Sequence, residues 1–279
     1  MPIKNLLIYS LFFSFFYGAA QTDSLLVEKK EKQHLYNYNF KYELPITAVA
    51  AGVTLFNFTK IYSKDRVPDE RVMRIDRNDV NRFDRGAAGN FDEDAEKISD
   101  MIFYGSVPVP LLVFGLDPKI RKDYLRVSLL YLQAMSFTGV VYSTSHQLND
   151  RRRPYVYNTE LDISERTRGA SQNSFIAGHP ALVGTATFFM AKVYADYHPD
   201  SAFKWVMYGL AGASTYATAH LRVKAGQHFP TDAIVGSVVG AASGFLVPYF
   251  HKNKLFKDPN LGLMPITGEY HGLSLSYTF

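Results

Sequence analysis

Six apolar stretches of helical length, spaced along most of the chain, limit what this sequence can fold into. They run from Tyr42 to Tyr62, Met101 to Leu116, Tyr124 to Thr144, Phe175 to Tyr194, Trp205 to Leu221 and Asp232 to Phe250. Alanine, glycine, leucine and valine dominate them, and each is too long for an ordinary strand. The expectation is an all-α protein, a bundle of about six core helices. Pro108 and Pro110 interrupt the second stretch and should kink or shorten it. Small residues in Gly209-Leu-Ala-Gly-Ala-Ser214 and Gly236-Ser-Val-Val-Gly-Ala-Ala242 allow helices to approach closely, in a soluble bundle or a membrane one. A mean hydropathy of −0.10 leaves both settings open.

The flanks differ in kind. Lys4 precedes an apolar run from Leu6 to Tyr17, and Gly18-Ala19-Ala20 supplies small residues before Gln21. That layout reads as a secretory signal peptide over residues 1–20, with an uncleaved anchor as the alternative. Residues 21–100 then carry an N-terminal helix and a charged connection, with a short helix expected near Asp92 to Ser99. Residues 101–250 form the helical core and 251–279 a tail. In the tail, Gly272-Leu-Ser-Leu-Ser-Tyr-Thr-Phe279 alternates apolar and polar residues, and Thr267-Gly268-Glu269 suits a turn, so a small C-terminal β-hairpin or strand is expected. One hairpin cannot close a membrane barrel.

Composition removes several chemistries. There is no cysteine, hence no thiol nucleophile, no cysteine-based zinc site and no iron–sulfur cluster. The 30 basic residues are interleaved with 26 acidic ones, which leaves no basic block for nucleic acid.

Three polar clusters sit at the ends of apolar stretches. The first is His146-Gln-Leu-Asn-Asp-Arg151-Arg152-Arg153-Pro154, which taken alone reads as a solvated basic loop. In the second, Phe175-Ile-Ala177-Gly178-His179-Pro180, a residue before proline is steered from helical angles, so His179 is expected as the cap of a helix opening at Pro180. Free amides there favour an anion, and a histidine at that mouth can hand a proton to a departing oxygen. A plain glycine-histidine turn is the structural alternative. In the third, Leu221-Arg222-Val-Lys224-Ala-Gly226-Gln-His228-Phe-Pro230-Thr-Asp232, a helix should start at Thr231 or Asp232. The four-residue spacing lets the Asp232 carboxylate reach one nitrogen of His228 and leave the other free to attack an electrophile. The alternative is a helix cap beside a surface histidine. Arg222 offers a planar fork for phosphate oxygens.

In order and spacing, these clusters resemble the signature of the type 2 phosphatidic acid phosphatase (PAP2) superfamily, which includes bacterial acid phosphatases and vanadium haloperoxidases. That signature is Lys-x6-Arg-Pro, then Pro-Ser-Gly-His, then Ser-Arg-x5-His-x3-Asp. Here Arg153-Pro154, Gly178-His179 and Arg222-x5-His228-x3-Asp232 match, with residues 155–175 and 180–220 between the motifs. His146 stands at the lysine position, Ile176 and Ala177 replace the proline and serine of the second motif, and Leu221 replaces the serine of the third.

The resemblance implies a helical core with metal-free phosphoryl transfer. His228 would be the nucleophile, Asp232 its orienting carboxylate and His179 the acid, then the base. Arg153, Arg222, Gly178 and His146 would bind phosphate. No metal and no cofactor are expected; vanadate enters only if the chain is a haloperoxidase. The implied substrate is a lipid phosphate, a polyprenyl diphosphate or another phosphoester, at an envelope membrane and with the site facing the periplasm. A soluble periplasmic acid phosphatase and a non-catalytic envelope relative remain as alternatives. Nothing in the sequence sets an oligomeric state.

Overall fold

The computed structural model describes residues 34–252 and the backbone of 261–266 and 272–277; the leader expected at residues 1–20 lies outside the described residues. The long helices are α1 (Phe40–Tyr62), α3 (Glu93–Ser106), α5 (Tyr124–Leu148), α7 (Gly178–Tyr197), α8 (Phe203–Lys224) and α9 (Pro230–Lys252). Shorter ones, α2 (Asp69–Met73), α4 (Val109–Leu116) and α6 (Ile163–Arg166), lie in the connections. Backbone pairing joins β1 (Leu261–Ile266) to β2 (Gly272–Tyr277), antiparallel, in the tail.

Local chemistry sets the boundaries. Asn39 caps α1 by accepting from Lys41 N (3.1 Å), while the Glu43 carboxylate accepts from Asn39 N (2.8 Å), two orphan amides satisfied reciprocally. Asp92 caps α3 through Ala95 N at 2.8 Å, and Glu93, Asp94 and Glu96 follow in its first turn, where the helix dipole favours acids. The short helix expected near Asp92 to Ser99 therefore continues into the second apolar stretch. Pro108 ends it, and α4 restarts at Val109.

Helix α7 is the hub, packed most extensively against α9 and α8. The α7–α9 contact depends on glycine. A Cβ on Gly236 would lie 2.3 Å from the Ala177 carbonyl oxygen, one on Gly240 2.1 Å from that of Ala181, and one on Gly244 2.6 Å from that of Thr185. The four-residue steps ascend together, so the two helices run parallel with backbones nearly touching. Gly209 and Gly212 differ, since an added Cβ meets nothing within 4 Å at either. Only Ala211 of that small-residue run is fully buried.

The outside of the bundle is apolar in bands. Helix α1 exposes Val49, Val53 and Phe56, and α9 exposes Ile234, Val238 and Leu246. Among the described residues, three stretches are long and apolar enough to cross a membrane: Phe40–Tyr62, Glu93–Leu116 and Pro230–Lys252. Apolar surface of that extent belongs against lipid. The helix directions place the C-terminal ends of α1, α5 and α8 and the N-terminal ends of α7 and α9 at one end of the bundle, where all three polar clusters meet.

Candidate active site

The third cluster is shaped by the turn after α8. Gly226 adopts a left-handed conformation (φ 71°), and a Cβ there would strike the Asn90 carbonyl oxygen at 1.9 Å. The amides of Gln227 and His228 then fold back onto the Arg222 carbonyl (3.0 and 3.3 Å), which brings His228 beside the end of α8.

His228 is buried, and its Nδ1 lies 2.6 Å from the Ser174 carbonyl oxygen. A carbonyl only accepts, so Nδ1 carries the proton and Nε2 keeps its lone pair. Burial, then the positive charges of Arg153 and Arg222, hold the imidazole well below its usual pKa. It is therefore neutral at physiological pH.

The direct His228–Asp232 contact expected from the spacing is not made. Asp232, fully buried, accepts from Ser174 Oγ (2.6 Å) and Phe229 N (2.9 Å) and is ion-paired with Arg151. Asp232 reaches His228 only through Ser174, whose hydroxyl binds the carboxylate and whose carbonyl binds the imidazole. The first turn of α9 turns the aspartate toward its own free amides, so capping wins over the local pair.

Arg151 also pairs with Asp84 at 2.6 Å. Asp84 accepts from Thr231 N (2.9 Å), Thr231 Oγ1 (2.6 Å) and Asn81 Nδ2 (2.7 Å). Burial pushes the Asp84 carboxyl up, but the hydrogen bonds from Thr231, Asn81 and Arg151 outweigh it and hold the group below the usual carboxylate range. Two buried carboxylates and one guanidinium thus close the site behind His228.

The second cluster begins a residue or two earlier than expected. Ala177 is the cap and Gly178 the first helical residue, so His179 and Pro180 already lie in the first turn of α7. Proline is tolerated there because those amides have no helical partner. Gly178 has no room for a side chain, since a Cβ would fall 2.5 Å from the Tyr142 ring. His179 Nε2 lies 3.0 Å from Asp100 Oδ1, and that same oxygen accepts from Arg222 Nη1 at 3.0 Å. Burial lowers the His179 pKa, while the Asp100 contact pulls it back up.

The first cluster separates. Arg151 goes to the carboxylates, whereas Arg153 donates from Nε to the Asn173 carbonyl (3.1 Å) and from Nη1 to Gln227 Oε1. Gln227 in turn donates to Glu96 at 3.1 Å. Burial and the neighbouring Arg153 charge bring Arg222 down to about 10, still charged at neutral pH. Its Nε is buried without a hydrogen-bond partner among the described residues, which buried donors seldom are.

His146 does not bind phosphate in this arrangement. Its Nδ1 lies 3.0 Å from the Tyr142 carbonyl and its Nε2 3.2 Å from the Asn173 carbonyl, so both nitrogens face backbone acceptors, and the neutral ring donates to one of them. It is fully buried, and desolvation lowers its pKa to about 4. A neutral imidazole filling the lysine position supports the Asn173 backbone that Arg153 also grips.

Of the residues expected from sequence, Arg153, Gly178, His179, Arg222 and His228 converge; Asp232 supports from behind, and His146 is turned away. Sequence reasoning missed Asp84, Glu96, Asp100, Ser174 and Gln227. Asp100 carried a signal, being an ionisable residue at the head of an apolar stretch. Asp84 carried none among the charges of its connection. No cluster of three or more metal-ligating side chains occurs among the described residues.

Residues 127–256 match the family model of the PAP2 superfamily. It is similar to two crystal structures. One is LpxE of Aquifex aeolicus, at 18% identity over 58% of this chain and 90% of that one, with a TM-score of 0.41. The other is the first transmembrane PAP2 type phosphatidylglycerolphosphate phosphatase from Bacillus subtilis, at 20% identity over 78% and 96%, with a TM-score of 0.37. No curated protein matches the chain. All seven site residues expected from sequence fall inside the family span; Asp84, Glu96 and Asp100 precede it.

Proposed function

We propose that this chain is a metal-independent phosphohydrolase of the cell envelope, acting on a lipid phosphate or polyprenyl diphosphate through a phosphohistidine. The observation that carries the reading is the tautomer of His228: Nδ1 donates to the Ser174 carbonyl, which leaves Nε2 unprotonated under the charges of Arg153 and Arg222. Nε2 attacks phosphorus as the bond to the leaving oxygen breaks, and His179 gives that oxygen its proton. His179 then takes a proton from water. The hydroxide attacks phosphorus, the P–N bond breaks, and inorganic phosphate leaves. Arg153, Arg222 and the first amides of α7 hold the equatorial oxygens, the stabilisation this chemistry chiefly needs. The unpartnered Arg222 Nε supports this reading, as does the apolar exterior beside the site for a lipid substrate.

The test is phosphate release by purified full-length protein in detergent, with chelator present. A lipid phosphate, a polyprenyl diphosphate and a soluble aryl phosphate are compared for wild type and His228→Ala. Release from the lipid substrates that falls to background in the variant is expected. Undiminished release in the variant overturns the mechanism, and loss of wild-type release that added metal restores overturns metal independence.

We also propose that the protein is exported with this site facing outward. Helix α1 starts at the far end and finishes at the site end, so with residues 1–20 exporting the chain that follows them, the site faces outward when α1 does not carry the chain back across. The cysteine-free chain allows labelling of single cysteines with an impermeant maleimide in intact cells, outer membrane permeabilised. Thr159→Cys, at the site end, is expected to label; protection of that position overturns the outward reading. Asp200→Cys, at the far end, is expected to label as well; protection of Asp200 beside a labelled Thr159 means that α1 crosses from inside and overturns the leader reading of residues 1–20.

A further inference from the structure

Helix α3 lies outside the family span, yet it supplies carboxylates to two of the site's cationic or ionisable groups, His179 and Arg222, and to the Gln227 amide. Asp100 Oδ1 touches both His179 Nε2 and Arg222 Nη1 at 3.0 Å. Glu96 lies 3.9 Å from Arg222 and binds Gln227, the partner of Arg153. Phe103, one turn on from Asp100, packs its ring 4.6 Å from that of His179.

We infer that Asp100 is a positioning residue for His179: it fixes the Nε2–H, stabilises the imidazolium, and leaves Nδ1 as the nitrogen that exchanges protons with the leaving oxygen and then with water. The inference rests on the proposed phosphatase reading. The geometry carries it. A carboxylate on one imidazole nitrogen orients the ring and favours its doubly protonated form, while the other nitrogen does the chemistry. His179 Nδ1 has no hydrogen-bond partner among the described residues. The charged groups acting on His179 are Asp100 from α3, Arg222 from α8 and Arg153 from the connection after α5. Both arginines repel the proton, and burial disfavours it further, so Asp100 is the only group among these that retains it. Its second bond, to Arg222, holds the carboxylate in place.

The role predicts a dependence on leaving group that a merely structural residue does not produce. An alkyl phosphate releases a poor leaving group and needs the proton; an aryl phosphate with an acidic phenol needs it far less. Asp100→Asn should lower turnover of the alkyl substrate about 10²-fold and of the aryl substrate less than about 10-fold. It should also move the alkaline limb of the pH profile to lower pH. Asp100→Glu should restore part of the alkyl activity, and Ser99→Ala, which touches the same arginine without the carboxylate, should leave the limb where it is.

Equal loss on both substrates with an unmoved limb overturns the inference, as does a gain in turnover, which would make Asp100 a competitor for the phosphate seat. Loss of release in His228→Ala with an unperturbed Asp100→Asn would spare the phosphatase reading and sink this one. If wild type releases no phosphate from any substrate, imidazole titration by NMR still decides. With the His179 signal assigned through His179→Gln, its pKa must fall in Asp100→Asn, and an unchanged value refutes the contact's role.

Discussion

Behind His228 and in front of it, carboxylates meet guanidinium groups in two different ways. At the back, Asp84 and Asp232 are wholly buried and share Arg151, and nearly every oxygen lone pair is met by Thr231, Asn81, Ser174 or Phe229 N. At the mouth, Asp100 is 38% exposed and bridges His179 and Arg222, one of which keeps a buried nitrogen unmatched. The back is saturated and therefore rigid. The mouth is under-satisfied and therefore ready for an anion. A buried polar network that is complete fixes geometry, whereas one that lacks an acceptor marks the place of the ligand.

The largest effect should come from breaking the back. Arg151→Ala leaves two carboxylates buried close together without their shared cation. Removing one partner of a buried pair costs about 3–5 kcal/mol, or a fall in melting temperature of about 10 °C for a domain of this size. Arg151 also covers the Phe229 ring at 4.7 Å, so part of the loss is packing. Adding Asp84→Asn to Arg151→Ala should recover part of the stability, because it removes one of the stranded charges. A double variant no more stable than Arg151→Ala would show that the pair is not coupled in this way.

A second, smaller effect appears as pH falls. His228 and His146 are buried neutral, His146 with a pKa of about 4. The unfolded chain titrates its histidines near the ordinary value of about 6.5. Between those values the unfolded state binds more protons, so stability falls as pH drops from about 6.5 toward 4. Each such histidine contributes about 1.4 kcal/mol per pH unit there. Asp84, held below the usual carboxylate range, adds its loss only at lower pH, as the medium approaches its folded pKa. His146→Gln keeps a donor near the Asn173 carbonyl and removes one histidine from the balance. Melting temperature measured from pH 7 to 4.5 should therefore fall less steeply in that variant, and parallel curves would refute the buried-neutral assignment.

How much of this was legible in the sequence follows the range of each interaction. Helix existence was local, and the apolar stretches became α1, α3 with α4, α5, α7, α8 and α9 at the expected places. The glycine run in α9 signalled close packing, and its Cβ clearances bear that out; the run in α8 looked alike, but its two glycines have open space around them and only Ala211 is buried. Composition alone cannot say which face a small residue occupies. Within the site, the motif residues were legible as a set, but their contacts were not. Asp232 has two local options, the imidazole four residues back or the free amides of its own helix, and the choice is settled by Arg151 and Ser174, both distant in sequence. His146 occupies a position where a cation is expected, and it is burial that makes it neutral, against the pull of the Tyr142 and Asn173 carbonyls. Asp84 comes from the charged connection ahead of the motifs, where nothing in its neighbours distinguishes it from surface charges, and Asp100 is marked only by its place at the head of an apolar stretch.

The smallest effect sharpens the contrast most. Asp100→Asn should change stability by less than about 1 kcal/mol, because a part-exposed pair is screened and its loss leaves no buried charge stranded: Arg222 retains Ser99 and lies near Glu96, and Asn keeps an acceptor for His179. Yet this same substitution is expected to impair turnover strongly, whereas Arg151→Ala is expected to lower stability first. Thermal melts and turnover measured on both variants place each on two independent axes. If Asp100→Asn proved as destabilising as Arg151→Ala, the mouth would be a structural network like the back, and its missing acceptor at Arg222 Nε would no longer mark a ligand seat. If it melts with wild type while losing alkyl phosphate turnover, the two networks are distinct in kind: one holds His228 in place, the other supplies the proton.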